Sequence, residues 1–145
     1  MKVQALARAE GVKSDTIRHY VRIGLLNPEK DDSGYHCFGA AERHRLRFIR
    51  QARDLGFTLN DIRTMLQEAE KGQSPCPTVR ALIEPRLKEA RQRLHAMQDM
   101  VERMEAAVAR WADRPDCYPC GEHICLLIEG STKPFSCGGE DDKHE

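Results

Sequence analysis

With 145 residues, 32% of them charged, and a formal net charge of zero, the chain suffices for one small domain and an extension. No stretch approaches the about 18 consecutive apolar residues of a membrane span, and the first ten residues lack the apolar core of a signal peptide, so the cytoplasm is the expected compartment and no membrane partner is expected. Thiols stay reduced there, so the six cysteines read first as metal-binding or redox groups and second as a disulfide framework. The zero balance hides an asymmetry: residues 1–53 hold 11 Lys and Arg against 6 Asp and Glu, whereas residues 112–145 hold 3 against 8. A basic leading half suits a polyanion, an acidic tail suits solvent or cations.

The first predicted helix covers residues 3–9, with Val3, Leu6 and Ala7 on one face, and stops at Gly11. A second follows at once. Ser14 is expected as its N-cap, Asp15 suits the first turn, and Ile17, Tyr20 and Val21 recur at helical spacing until Gly24. Two short helices joined by a tight glycine turn are what a helix-turn-helix requires. Pro28 pushes Asn27 into extended geometry. Asp31, Asp32, Ser33 and Gly34, followed by Tyr35, His36, Cys37 and Phe38, predict a turn and a short strand, a β-wing. A third helix is expected from Ala40 or Ala41 to Leu55, with Leu46, Phe48, Ile49 and Ala52 inward and Gly56 closing it. A fourth covers residues 58–70, with Leu59, Ile62, Met65, Leu66 and Ala69 inward. Residues 1–72 thus form one domain, and residues 73–76 a linker.

Over residues 77–112, Ile83, Leu87, Ala90, Leu94, Met97, Val101, Met104, Val108 and Trp111 alternate spacings of four and three, the mark of a coiled-coil seam. The chain has no second long helix to cover it, so the expected partner is an antiparallel second copy. Pro85 costs about 3 kcal/mol inside a helix; either the helix bends there or its uninterrupted part begins near Arg86. A loop over residues 113–130 follows, with residues 124–128 as one helical turn or a strand, and then a flexible tail over residues 131–145. At about 1.5 Å per residue the helix spans roughly 50 Å. Cys76 at one end cannot meet Cys117, Cys120, His123 and Cys125 at the other within one chain. An antiparallel partner brings them together, so the soft ligands point to a metal site shared by two subunits.

The run Thr16, Ile17, Arg18, His19, Tyr20, Val21, Arg22, Ile23, Gly24, Leu25 and Leu26, followed by Gly34, Tyr35 and His36, resembles the signature of the MerR family of transcription regulators. The resemblance continues through Leu46 to Arg50, Leu55 to Leu59 and Asp61 to Arg63, and along the long helix to the cysteine loop. It implies a mainly α fold: a winged helix-turn-helix DNA-binding domain, a long antiparallel coiled-coil dimerisation helix and a short C-terminal metal-binding loop. Lys13, Ser14, Thr16, Arg18, His19 and Tyr20 lie on or before the recognition helix, whose leading half faces bases and phosphates. The resemblance implies backbone contacts from Arg18, Tyr20, Tyr35 and His36. The family usually has Arg at position 36, Tyr at 38 and Glu at 21, where this chain has His36, Phe38 and Val21. Histidine is mostly neutral near pH 7, so the wing contributes less charge. A core role for Tyr20 stands as the alternative.

Cys117 and Cys125 match the two loop cysteines of the family's metal sensors, and Cys76 matches the position that is Cys in sensors of divalent ions and Ser in sensors of Cu(I). Three thiolates also balance a doubly charged ion better than a singly charged one. Cys120 and His123 resemble the extra loop ligands of zinc-responsive relatives. The implied inducer is zinc, with cadmium or lead next, Hg(II) or Cu(I) being the alternatives. The implied partners are promoter DNA, a second copy and RNA polymerase, and the implied action is activation of a metal-resistance or efflux promoter by DNA distortion. An enzyme is not expected. The alternative of another class, a thiol redox protein using Cys117 and Cys120, lacks the strand-helix unit that would depress a thiol pKa. Cys37 is expected to be a small buried apolar residue, and Cys137 a tail thiol.

Overall fold

The computed structural model describes residues 1–130; the expected flexible tail, with Cys137, lies outside them. Six helices and one two-stranded ribbon follow in the order α1 (Val3–Glu10), α2 (Ser14–Arg22), β1 (Glu29–Lys30), β2 (His36–Cys37), α3 (Ala40–Asp54), α4 (Leu59–Glu70), α5 (Cys76–Trp111) and α6 (Leu126–Glu129). The expected mainly helical winged helix-turn-helix with a long helix is what the structure shows. β1 and β2 run antiparallel, Glu29 opposite Cys37 and Lys30 opposite His36. No helix among the described residues is long and apolar enough to cross a membrane.

The turn between α1 and α2 depends on Gly11, whose φ of 68° is left-handed and costs a glycine nothing; Val12 N–H then donates to the Ala7 carbonyl at 3.0 Å. The expected cap is corrected by one residue. Lys13 is the N-cap of α2, without a side-chain bond, and Ser14 is the first helical residue. Leu6, Ile17, Leu26, Leu46, Ile49 and Ile62 are fully buried at the centre of a core that also holds Tyr20, Phe38, Phe57 and Met65. Cys37 is only half-buried, because Phe38 takes the inward position beside it. Asp31 builds the wing turn: its Oδ1 accepts the amide N–H groups of Ser33 and Tyr35 at 2.9 and 3.0 Å.

The chain divides into two compact units, residues 1–91 and the residues from Gln92 on. The first unit therefore extends past residue 72 and includes the opening turns of α5. Val79, Leu82 and Ile83 pack against its core, and Thr78 Oγ1 donates to Glu68 Oε2 at 2.7 Å. Cys76, expected in the linker, is the first residue of α5. Ile83, expected in the dimer seam, is used within its own unit. The helix also runs through Pro85 without a break, so its uninterrupted part begins at Cys76 and not near Arg86. Proline removes one helical hydrogen bond, to the carbonyl of Ala81, and both residues are exposed.

A polar joint of this unit is built on Asp61. It caps α4 reciprocally with Thr58, Thr58 N–H donating to Asp61 Oδ2 and Asp61 N–H donating to Thr58 Oγ1, each at 3.0 Å. The same carboxylate accepts Arg86 Nε and Nη2 from α5 at 2.7 and 3.0 Å, and its residue is 6% exposed. The Arg86 guanidinium, opposed by burial and helped by the Thr58 amide, holds the Asp61 carboxyl down at about 2. A carboxylate with a depressed folded-state pKa stabilises the fold fully above its unfolded value, about 4, and loses that contribution as pH falls towards its folded value. Thr58→Ala is expected to cost about 1 kcal/mol. Asp61→Asn should lower the melting temperature at pH 7 by more than Thr58→Ala does and flatten the fall in stability between about pH 4 and pH 2. Thermal melts across that range check both.

Candidate nucleic-acid interface and metal loop

The recognition helix α2 presents two different surfaces. Ile17 and Tyr20 point into the core, while Arg18 is exposed and held by Asp15 Oδ1 at 3.0 Å, one turn back. Between α2 and the wing lies a cleft of about 450 Å³ whose lining includes Arg18, Tyr35 and His36. Three of the sequence-expected DNA residues therefore meet at one place. The structure adds two cations there that the sequence reading passed over, Lys2 and Arg22. Lys2 pairs with Asp31 and stands 4.9 Å from the centre of the Tyr35 ring. Arg22 Nη2 lies 3.1 Å from His19 Nδ1, an arrangement in which the guanidinium donates and the imidazole accepts.

On the other side of α2 a second, more open groove is lined by Arg8, Lys13 and Ser14. Thr16 is half-buried. Tyr20 is 8% exposed and a member of the core, so it can offer DNA little surface. The cationic rims of both grooves are suited to phosphate, and the helix between them is suited to base edges.

Much of the basic excess in the sequence has a structural role. Glu10 accepts from Arg43 and Arg47, and its backbone carbonyl accepts from Arg50. Those two guanidinium groups, Arg47 first, hold the Glu10 carboxyl down at about 2. Arg45 Nε donates to the Leu25 carbonyl at 2.6 Å and the same side chain pairs with Glu70; Arg63 Nη2 donates to the Ile23 carbonyl at 2.6 Å. These side chains tie α3 and α4 to the helix-turn-helix, leaving Lys2, Arg8, Lys13, Arg18 and Arg22 on its open faces.

In the second unit, residues 112–119 form no helix or strand. A tight reversal then pairs Cys120 with His123: Cys120 N–H donates to the His123 carbonyl at 3.0 Å, and Cys120 Sγ lies 3.1 Å from His123 Nδ1. Cys117 and Cys125 line a different feature, a cleft of about 300 Å³ shared with Pro115, Leu126 and Leu127. The five expected ligands thus fall into a thiol pair, a Cys–His pair and Cys76, which is exposed at the head of α5. Among the described residues, no three His, Cys, Asp or Glu side chains of one chain gather into a group able to hold a metal ion. The donor chemistry fits a soft or borderline cation, and the pairs leave coordination positions for another donor. For the redox alternative, no helix begins at Cys117 and Cys120 faces an imidazole.

Residues 1–69 match the family model described as MerR HTH family regulatory protein, and residues 43–107 the one described as MerR, DNA binding. HTH-type transcriptional regulator HmrR of Rhizobium leguminosarum bv. viciae is 31% identical over 119 residues, covering 81% of this chain and 92% of that protein. Heavy metal-dependent transcription regulator 2 of Rhizobium meliloti is 32% identical over 120 residues, covering 81% of this chain and 82% of that one. The structure of the transcription regulator PbrR691 from Ralstonia metallidurans in complex with lead(II) shares the fold, with a TM-score of 0.63 at 21% identity over 90% of this chain and 99% of that one. These relatives are transcription regulators and not enzymes. Identity at this level across nine tenths of a relative accompanies a helix-turn-helix, wing and long helix in the same order: the chain belongs to the MerR family of transcription regulators.

Proposed function

We propose that the chain is a homodimeric, metal-responsive regulator that senses a divalent soft or borderline ion, zinc first and cadmium or lead next, and activates a metal-resistance or efflux promoter by distorting its DNA. The observation that carries this reading is the convergence of Cys117 and Cys125 on one cleft immediately after a helix whose apolar stripe is bare. Leu94, Met97, Met104 and Val108 are each more than half exposed. A second copy packed antiparallel would cover that stripe and supply Cys76 of the partner subunit to the cleft. Three thiolates neutralise a doubly charged ion with one charge to spare, and Cys120 and His123 add donors for a borderline metal such as zinc. The name of the Rhizobium meliloti relative, a heavy metal-dependent regulator, supports metal as the inducer.

On DNA, the two-fold dimer would place two recognition helices on a palindrome, gripped by Lys13, Ser14, Thr16, Arg18 and His19 on the α2 side, the Tyr20 edge, and Tyr35 and His36 of the wing, with Lys2 and Arg22 adding charge. Ligand preference for one conformer shifts the dimer's population. The cost of deforming the intervening DNA then converts that shift into promoter geometry that RNA polymerase can engage.

Binding to duplexes selected from a random pool, followed by transcription from the selected sites with and without zinc, tests the reading; absence of any sequence-specific duplex binding would end it. Arg18→Gln and Arg22→Gln should each weaken duplex binding and reduce the slope of log affinity against log salt by about 1, the signature of one lost phosphate contact. Cys76→Ser should weaken Zn²⁺ and Cd²⁺ binding by tenfold or more while leaving Cu(I) binding within a few-fold, measured by chelator competition.

A further inference from the structure

Trp111 is the chain's one tryptophan and the last residue of α5. Its indole Nε1–H donates to the backbone carbonyl of Leu127 in α6 at 2.8 Å. Ala107 lies one turn earlier on the same helix face and is the only buried residue of α5, so that face is covered at the point where the rest of the second half of the helix is bare. A second anchor acts from the other side of the loop. Glu129 Oε2 accepts the amide N–H groups of Ile124 and Cys125, both at 2.6 Å. Cys125 is also the N-cap of α6, and Leu127 lines the cleft that holds Cys117 and Cys125. The thiol pair is therefore as well placed as the docking of one four-residue helix.

We infer that Trp111 is a positioning residue for the thiol pair: its indole N–H docks α6 on the end of α5 and so sets Cys125 relative to Cys117, which couples the docked state of α6 to occupancy of the cleft by a soft divalent ion. The inference rests on the proposed metal-sensing reading. Its physical basis is the narrow length range of metal–sulfur bonds, about 2.3 Å for zinc. A mispositioned ligand must be moved at the expense of affinity, and groups that orient ligands without touching the metal are typically worth about 10–100-fold in binding. Trp111 has no ligating atom, and its hydrogen bond to a main-chain carbonyl is one that Phe, with a ring but no donor, cannot make.

The test uses the full chain and Cd²⁺, a closed-shell ion that forms an ultraviolet charge-transfer band with thiolates. Trp111→Phe keeps an aromatic ring and removes the donor. The expected result is Cd²⁺ binding about tenfold weaker by chelator competition, with helix content and metal-free duplex binding unchanged. In the native chain, Cd²⁺ should also shift the Trp111 emission, and Cys125→Ser should abolish the shift. Native Cd²⁺ affinity in Trp111→Phe, or an unchanged emission spectrum while the charge-transfer band grows, would overturn the inference and leave the metal-sensing reading standing. Absence of a charge-transfer band in the native chain would overturn both.

Discussion

From Leu87 to Val108, α5 carries an apolar stripe that its own chain leaves in water, with Leu94, Met97, Met104 and Val108 at 54–68% exposure. The helix that bears such a stripe cannot also bury it. Apolar area left in water forgoes about 25 cal/mol per Å², so a seam this long favours a partner helix. The proposed dimer follows from that constraint, as does the placement of the sensor ligands. Cys76 heads the helix and the loop cysteines follow its end, so an antiparallel pairing would complete the proposed three-thiolate set.

The seam begins only where α5 has finished serving its own domain. Val79, Leu82 and Ile83 are committed to the core, and Arg86 closes that segment by gripping the carboxylate that caps α4. A buried charge with two guanidinium bonds and a reciprocal cap is satisfied from every side. This makes the start of α5 an integral part of the DNA-binding domain. Glu10 does similar work at the other side of that domain, drawing α3 onto α1 through Arg43, Arg47 and Arg50. The cations left over define the clefts that flank α2.

The helical elements were legible because period and punctuation agreed. Leu6, Ile17, Leu46, Ile49, Ile62 and Met65 stand at helical spacing and are buried, and Gly11, Gly24, Gly56 and Gly72 all adopt the positive φ that ends a helix. What failed was local or tertiary. Residues 13 and 14 both suit a helix start, and only backbone geometry decides between them. Pro85 reads as a breaker, but one lost donor is a single bond in a helix of 36 residues. The structural arginines were not legible: apart from the resemblance that singles out Arg18, Arg18 and Arg47 look alike in sequence, and only the fold shows that Glu10 claims the second. In the cysteine loop the sequence names the donor types, whereas the division into Cys117 with Cys125 and Cys120 with His123 comes from the reversal at Gly121 and Glu122. The docking of α6 by Trp111 had no sequence signal beyond its place at the end of the seam.

In the proposed dimer two subunits complete one metal site, and mixed dimers show whether they do. A Cys76→Ser chain and a Cys125→Ser chain, each defective in Cd²⁺ binding alone, are mixed, unfolded and refolded together. One heterodimer then contains one site with both changes and one site with neither. The account predicts recovery of native-affinity Cd²⁺ binding at one ion site per heterodimer, half the native number. No recovery, in a mixture shown by mass to contain the heterodimer, would contradict it.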